Sequence, residues 1–200
     1  MDKNILKNKI EKLINHYKAG NFVHVIKEGQ IVIKKIPNNI FLTNLIAMSH
    51  QAIGNFKLAI SGYYHIIGLD NKNKEAYNNL GTVFKSTNDL DESKKNFTKA
   101  LDIDPNFVDA LTNLGNLYFE LNDYENSINY LTKSLKINNK NALAHYNIGL
   151  VYQSIGEHKK SISHLRKVLE LNPANTNADK LISRMTSYNE KDEHIAEMEE

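Results

Sequence analysis

The chain has 200 residues, 41% of them hydrophobic, and carries 25 basic against 23 acidic residues for a formal charge of +2. That near balance gives no strong field for nucleic acid or an anionic membrane, and the absence of cysteine excludes disulfides, thiolate metal sites and thiol nucleophiles. No stretch approaches the roughly 20 apolar residues that cross a bilayer, and residues 1–12 lack the apolar core of a secretory signal, so the sequence reads as soluble and cytoplasmic.

Along the chain one turn signal returns every 34 residues: Gly20-Asn21-Phe22, Gly54-Asn55-Phe56, Asn88-Asp89-Leu90, Asn122-Asp123-Tyr124 and Gly156-Glu157-His158. Gly and Asn tolerate the left-handed conformation that ends a helix, and the Asn or Asp that follows in four copies suits the N-cap of the next. The period therefore predicts five helix–turn–helix repeats over about 6–39, 40–73, 74–107, 108–141 and 142–175.

The first repeat has Leu13 and Val25 where later repeats carry small residues and Gly29 where they carry a large one, which marks it as a degenerate terminal unit. In the others, Ala47, Gly81, Gly115 and Gly149 in the first helices and Ala59, Ser93, Ser127 and Ser161 in the second predict close helix pairs. Pro37, Pro105 and Pro173 occupy the thirty-second place of the first, third and fifth repeats and predict helix stops there. Asn71 and Asn139 hold that place in the other two and are expected to terminate their helices less decisively. The aromatics Tyr77, Phe84, Phe97, Tyr118 and Tyr152 recur at core intervals and read as packing. Beyond Pro173, Ala178, Leu181, Ile182 and Met185 share one face of a predicted capping helix over 176–187, so that 1–188 forms one array followed by an acidic tail or short extra helix over 188–200.

Tyr77, Leu80-Gly81, Phe84, Ser93, Phe97, Ala100 and Pro105, repeated as Leu111, Leu114-Gly115, Tyr118, Ser127, Leu131 and Ser134, resemble the tetratricopeptide repeat pattern, and the resemblance covers about residues 6–175. It implies an all-α fold, a right-handed superhelix of paired helices with a concave groove lined by the first helix of each pair. The stretch from Ile182-Ser183-Arg184-Met185-Thr186 through Asp192-Glu193-His194-Ile195 to Glu197-Met198-Glu199-Glu200 resembles the join to a sulfotransferase domain in proteins where such repeats precede one.

The sequence offers no phosphate loop, nucleophile elbow, HExxH or calcium-loop pattern, and the eight histidines do not space as a ligand set, so neither catalysis nor a cofactor or metal is expected. His145 and His158 read as aromatic-position fillers and the remaining histidines as surface residues. Asp89 with Glu92 reads as an N-cap with its reciprocal partner three residues on rather than as an acid–base pair.

One functional feature remains. Asn79, Asn113 and Asn147 recur at the sixth place of successive repeats, just before each Leu-Gly or Ile-Gly pair. A carboxamide can accept from an N–H and donate to a C=O, so stacked amides can read an extended backbone. Resemblance to the asparagine ladder of O-linked N-acetylglucosamine transferases points these side chains into the groove, with Asn78, Thr82, Asn116, Phe119, Tyr146 and Gln153 as neighbouring candidates. The family's two-carboxylate clamp is not matched, because its second place holds Glu75, Asp109 and Leu143 and its sixth place Asn. The reading is a scaffold for an extended peptide or a partner helix. The alternative is the substrate-recruiting part of a sulfotransferase or glycosyltransferase. Oligomeric state is left open.

Overall fold

A computed structural model describes residues 3–186, and all regular structure among them is helical. The helices are α1 (Lys3–Lys18), α2 (Phe22–Ile33), α3 (Ile40–Ala52), α4 (Phe56–Leu69), α5 (Lys74–Ser86), α6 (Leu90–Ile103), α7 (Val108–Glu120), α8 (Tyr124–Ile137), α9 (Ala142–Ser154) and α10 (His158–Leu171). Residues 176–186 form a further helix, α11. Five helix pairs follow the 34-residue period. The chain divides after Pro105 into two compact units, the first holding α1 to α6 and the second α7 to α11.

All five turns form as the period requires. Gly20, Gly54 and Gly156 have φ of 76°, 77° and 79°, and Asn88 and Asn122 reach 63° and 58°. At each, the next residue's N–H closes back on the carbonyl five residues earlier, as in Asp89 N–H to Phe84 O at 2.8 Å and Glu157 N–H to Tyr152 O at 2.8 Å. This Schellman geometry satisfies carbonyls that the helix end would leave bare.

Capping departs from expectation. Asp89 and Asp123 accept from the N–H of Glu92 and Asn126, but Asn21 and Asn55 stand at the N-cap without any side-chain cap bond. The reciprocal half of the Asp89–Glu92 box is also absent. Glu92 Oε1 instead takes the Lys95 ammonium at 2.8 Å, and the Asp89 N–H is already committed to Phe84. Further caps lie elsewhere on the period: Asn39, Asn73, Asn141 and Asn175 accept from Leu42, Ala76, Ala144 and Ala178 N–H at 2.8, 2.9, 3.2 and 3.0 Å. They start α3, α5, α9 and α11, while Phe107 stands at the corresponding place before α7 without a cap bond.

Helix ends correct a second expectation. Helices α4 and α8, followed by Asn71 and Asn139, end at the same place of the period as the proline-followed α6 and α10. Asp70 and Asn138 end them, accepting from the N–H of Lys72 and Lys140 at 3.0 and 3.1 Å, and Asn172 does the same for Ala174. An Asx turn two residues ahead supplies the stop that proline was expected to supply. The first repeat has Ile36 at that place, and α2 stops earlier, at Ile33.

Inside the last three pairs the small residues do what their spacing predicts. A Cβ built on Gly81, Gly115 or Gly149 would fall 2.6, 2.6 or 2.9 Å from Phe97, Leu131 or Leu165 of the second helix, so glycine is needed for the approach. Across that contact Ser93 and Ser161 hydroxyls donate to the Gly81 and Gly149 carbonyls at 2.8 and 2.7 Å. Ser127 is equally buried, but its hydroxyl has no hydrogen-bond partner. The pairs stack through apolar clusters. In the first unit Leu13, Val25, Val32, Leu42 and Leu45 form one, and Ala47, Tyr63, Ile66, Leu80 and Val83 the next. In the second, Ala178 and Met185 of α11 close over Leu165 and Val168, with Leu181 and Ile182 alongside. The final residue of the predicted capping helix and the 188–200 tail lie outside the described residues.

Candidate functional site

The ladder asparagines sit in the middle of α5, α7 and α9, held there by the glycines just described and, in α5 and α9, by the Asn73 and Asn141 caps. In the first unit Asn79 is half-buried and donates through Nδ2 to Asn44 Oδ1 at 3.2 Å, while Asn44 turns its own Nδ2 to Met48 Sδ at 3.3 Å. Asn79 thus keeps its carbonyl and one amide hydrogen beyond that bond. Its neighbour Asn78 is 7% exposed, beneath the surface, and the Thr82 hydroxyl is engaged with the Asn78 carbonyl at 3.1 Å.

In the second unit Asn113 and Asn147 stand on helices in direct contact, α7 and α9. Asn113 and Asn116 are half-buried and have partners within the protein. Asn147 is 4% exposed, and its Nδ2 has no hydrogen-bond partner. A buried amide donor left unpaired costs about 1 to 3 kcal/mol, which sets this residue apart from its two counterparts. Phe119 lies 6.1 Å from the Tyr124 ring, and Tyr146 packs against the Leu165, Val168, Ala178 and Met185 cluster, so both serve packing as well as any outer contact. Gln153 is half-buried near the end of α9.

The aromatics Phe97, Phe84, Tyr118 and Tyr152 pack as read: Phe97 is 1% exposed, and Tyr118 lies parallel to Tyr130 at a 5.5 Å centroid separation. Histidine placement needs correction. His50 is buried at 6% exposure, not on the surface, and burial pushes its pKa below the ordinary histidine range. His145 and His164, nineteen residues apart and on different helices, meet with Nδ1 atoms 3.0 Å apart, and His145 Nε2 reaches the Asn139 carbonyl at 3.2 Å. A carbonyl can only accept, so neutral His145 carries its proton on Nε2 and His164 donates from Nδ1. Burial first, and His145 second, lowers the pKa of His164. The signal for these contacts was in the sequence. His50 and His164 fall at places of the period where other repeats carry rings, Tyr118 and Tyr152 for the first and Tyr130 for the second.

Among the described residues no group of three or more His, Asp or Glu side chains is placed to hold a metal ion, and no helix is long and apolar enough to cross a membrane. The Lys74 ammonium bonds Asp104 at 2.6 Å, which ties the start of α5 to the end of α6 and raises the lysine pKa.

Sequence profiles described as TPR repeat match residues 81–121 and 115–156, and one described as tetratricopeptide repeat matches 142–175. No curated protein matches the chain. Among solved structures, TTC0263, a thermophilic TPR protein of Thermus thermophilus, is similar with a TM-score of 0.77 at 13% identity, over 90% of this chain and 98% of that one. Pseudomonas aeruginosa pilF gives 0.80 at 16% identity over 96% and 87%. YrrB, described as a TPR protein with an unusual peptide-binding site, gives 0.62 at 20% identity over 81% and 84%. At these identities the likeness is one of fold.

Proposed function

We propose, from the match of residues 81–175 to tetratricopeptide repeat profiles, that the chain is a non-catalytic cytoplasmic scaffold binding an extended peptide of a protein partner. The peptide lies on the ladder face of the first helices. In the second unit Asn113 and Asn147 on α7 and α9 are its readers, and in the first Asn79 on α5 offers the same group with its neighbouring polar side chains. The observation that carries this reading is Asn79, half-buried on α5, whose carbonyl and second amide hydrogen remain beyond its bond to Asn44. A peptide N–H and C=O can take those two groups, which suits a backbone rather than one side chain. Each such bond contributes only about 0.5 to 1.5 kcal/mol, so side-chain pockets must add specificity. A peptide array probed with wild type and with the Asn79, Asn113 and Asn147 to Ala triple variant tests it. Loss of array binding by a triple variant with unchanged helical circular dichroism is expected, and equal binding removes the ladder from the mechanism.

A second reading, recruitment of substrate to a sulfotransferase, rests on the 182–200 pattern alone. A catalytic domain encoded in frame after Glu200 favours it, and an immediate stop codon ends it.

A further inference from the structure

The near-neutral total conceals a polarity along the chain. Residues 1–39 carry eight lysines against Asp2, Glu11 and Glu28, a formal charge of +5, and residues 188–200 carry six carboxylates against Lys191, a formal charge of −5. The stretch between them stands at only +2.

The basic end has a face that nothing among the described residues covers. In α3, α5 and α9 the third and seventh places of the repeat pack with the second helix of the preceding repeat. Leu42 and Ile46 meet Val25 and Val32 of α2, Ala76 and Leu80 meet Tyr63 and Ile66 of α4, and Ala144 and Ile148 meet Leu131 and Leu135 of α8. The same places of α1 hold Asn8 and Lys12, with Lys9 beside them, and all three are exposed. Between α1 and α2 lies a hollow of about 180 Å³ with Leu13 and Val32, each 3% exposed, at its floor and Lys9, Lys12, His16, His24 and Glu28 around it. Lys7 reaches Glu11 at 4.0 Å, whereas Lys9 and Lys12 have no acidic partner among the described residues. A terminal repeat needs a polar outer face for solubility, but mixed charge serves that purpose, as Asp179, Lys180 and Arg184 do on α11. Two unpaired ammonium groups over an apolar floor are complementary to an acidic segment that carries apolar side chains.

We propose that this face binds residues 188–200 of a second copy of the chain, so that arrays join end to end. Blocks of like charge of this kind often serve as interaction segments. This one holds both halves of the complement: Asp192, Glu193, Glu197, Glu199 and Glu200 for the ammonium groups, and Ile195 and Met198 for the floor of Leu13 and Val32. Ile195 and Met198 are three apart, the interval that shares one side of a helical turn, and a helix is what a preceding repeat lays over this face in α3, α5 and α9. A second copy is the source because the segment follows α11, which closes over Leu165 and Val168 of the fifth repeat. It leads on from the last repeat of one array into the place that a repeat before the first would take in the next. The contact is heterologous, so each copy keeps one unused face and one unused segment, and association does not stop at a dimer.

The test is sedimentation of the full chain over a concentration series at low and at raised salt. A mass that rises with concentration above the 22.8 kDa of one copy, and falls back with salt, is expected. Lys9→Glu with Lys12→Glu, and separately Glu197→Lys with Glu199→Lys and Glu200→Lys, each weakens self-association by about tenfold or more, with helical circular dichroism unchanged. Mixing the two variants restores association, because each then finds its complement only on the other. The Asn79, Asn113 and Asn147 to Ala variant associates as wild type does, so this contact and the ladder are told apart. A single-copy mass at every concentration, association indifferent to salt or to the Lys9 and Lys12 reversal, a mixture that stays unassociated, or loss of association in the ladder variant each overturns the proposal.

Discussion

The second and third repeats, α3–α4 and α5–α6, solve one packing problem in two ways. In the third, Gly81 of the first helix receives Phe97 of the second, and Ser93 bonds the glycine carbonyl across the contact. In the second, Ala47 stands at the glycine place and the small residue has moved to the partner helix, where Gly62 comes against Ala47. Tyr63 then occupies the aromatic place fully buried, and its hydroxyl donates to Gln51 Oε1 at 2.8 Å. Burial raises the tyrosine pKa, so the phenol remains a donor. The helix spacing is therefore fixed by the presence of one small residue, not by which helix supplies it.

The comparison breaks most severely at the large residue. Phe97→Ala leaves a hole where a ring at 1% exposure met Gly81 and is expected to cost about 3 to 5 kcal/mol, read as a lowered urea midpoint. Tyr63→Phe keeps the ring and loses only the Gln51 bond, for about 0.5 to 1.5 kcal/mol. If the two variants melted alike, the packing account of the third repeat would be wrong. Gly81→Leu is next, with an expected cost of about 1 to 3 kcal/mol, because its Cβ would already stand 2.6 Å from the Phe97 ring. An unchanged thermal midpoint in that variant would show that the helix pair has slack.

Much of this was legible in the chain because a period is a global constraint stated locally. Five turns at 34-residue intervals fixed which residues share a place, and a glycine or asparagine at each left one conformation open. The ends of helices were read less well. Proline announces a stop by removing a donor, but Asp70 and Asn138 make theirs through a side-chain bond two residues on, which looks in sequence like any polar loop residue. The site was read least well. Spacing puts Asn79, Asn113 and Asn147 at one place of the repeat, yet whether an amide is shared with Asn44 or left unpaired depends on a neighbouring helix that the period does not specify.

The smallest expected effect separates two capping places of nearly equal backbone geometry. Asn55 has φ −78° and ψ 61°, and Asp89 has φ −91° and ψ 77°, yet only Asp89 accepts from the helix, at 3.2 Å from Glu92 N. Asp89→Ala therefore costs about 1 kcal/mol, since the first turn of α6 loses both a bond and a negative charge at the positive end of the helix. Asn55→Ala changes stability by less than about 0.5 kcal/mol, the range of substitutions that remove no interaction. Chemical denaturation of the two variants under one set of conditions resolves the difference. Equal losses would mean that the Asn55 amide caps α4 in solution, and the distinction between the turns would vanish. If the losses differ as stated, Asn55→Asp becomes the informative reverse experiment. A carboxylate at that place should draw the Leu58 N–H from the Asn55 carbonyl, to which it donates at 3.1 Å, and its charge lies at a helix start that has no acidic residue in its first turn. The gain should then shrink with added salt, because the charge term is screened while the hydrogen bond is not.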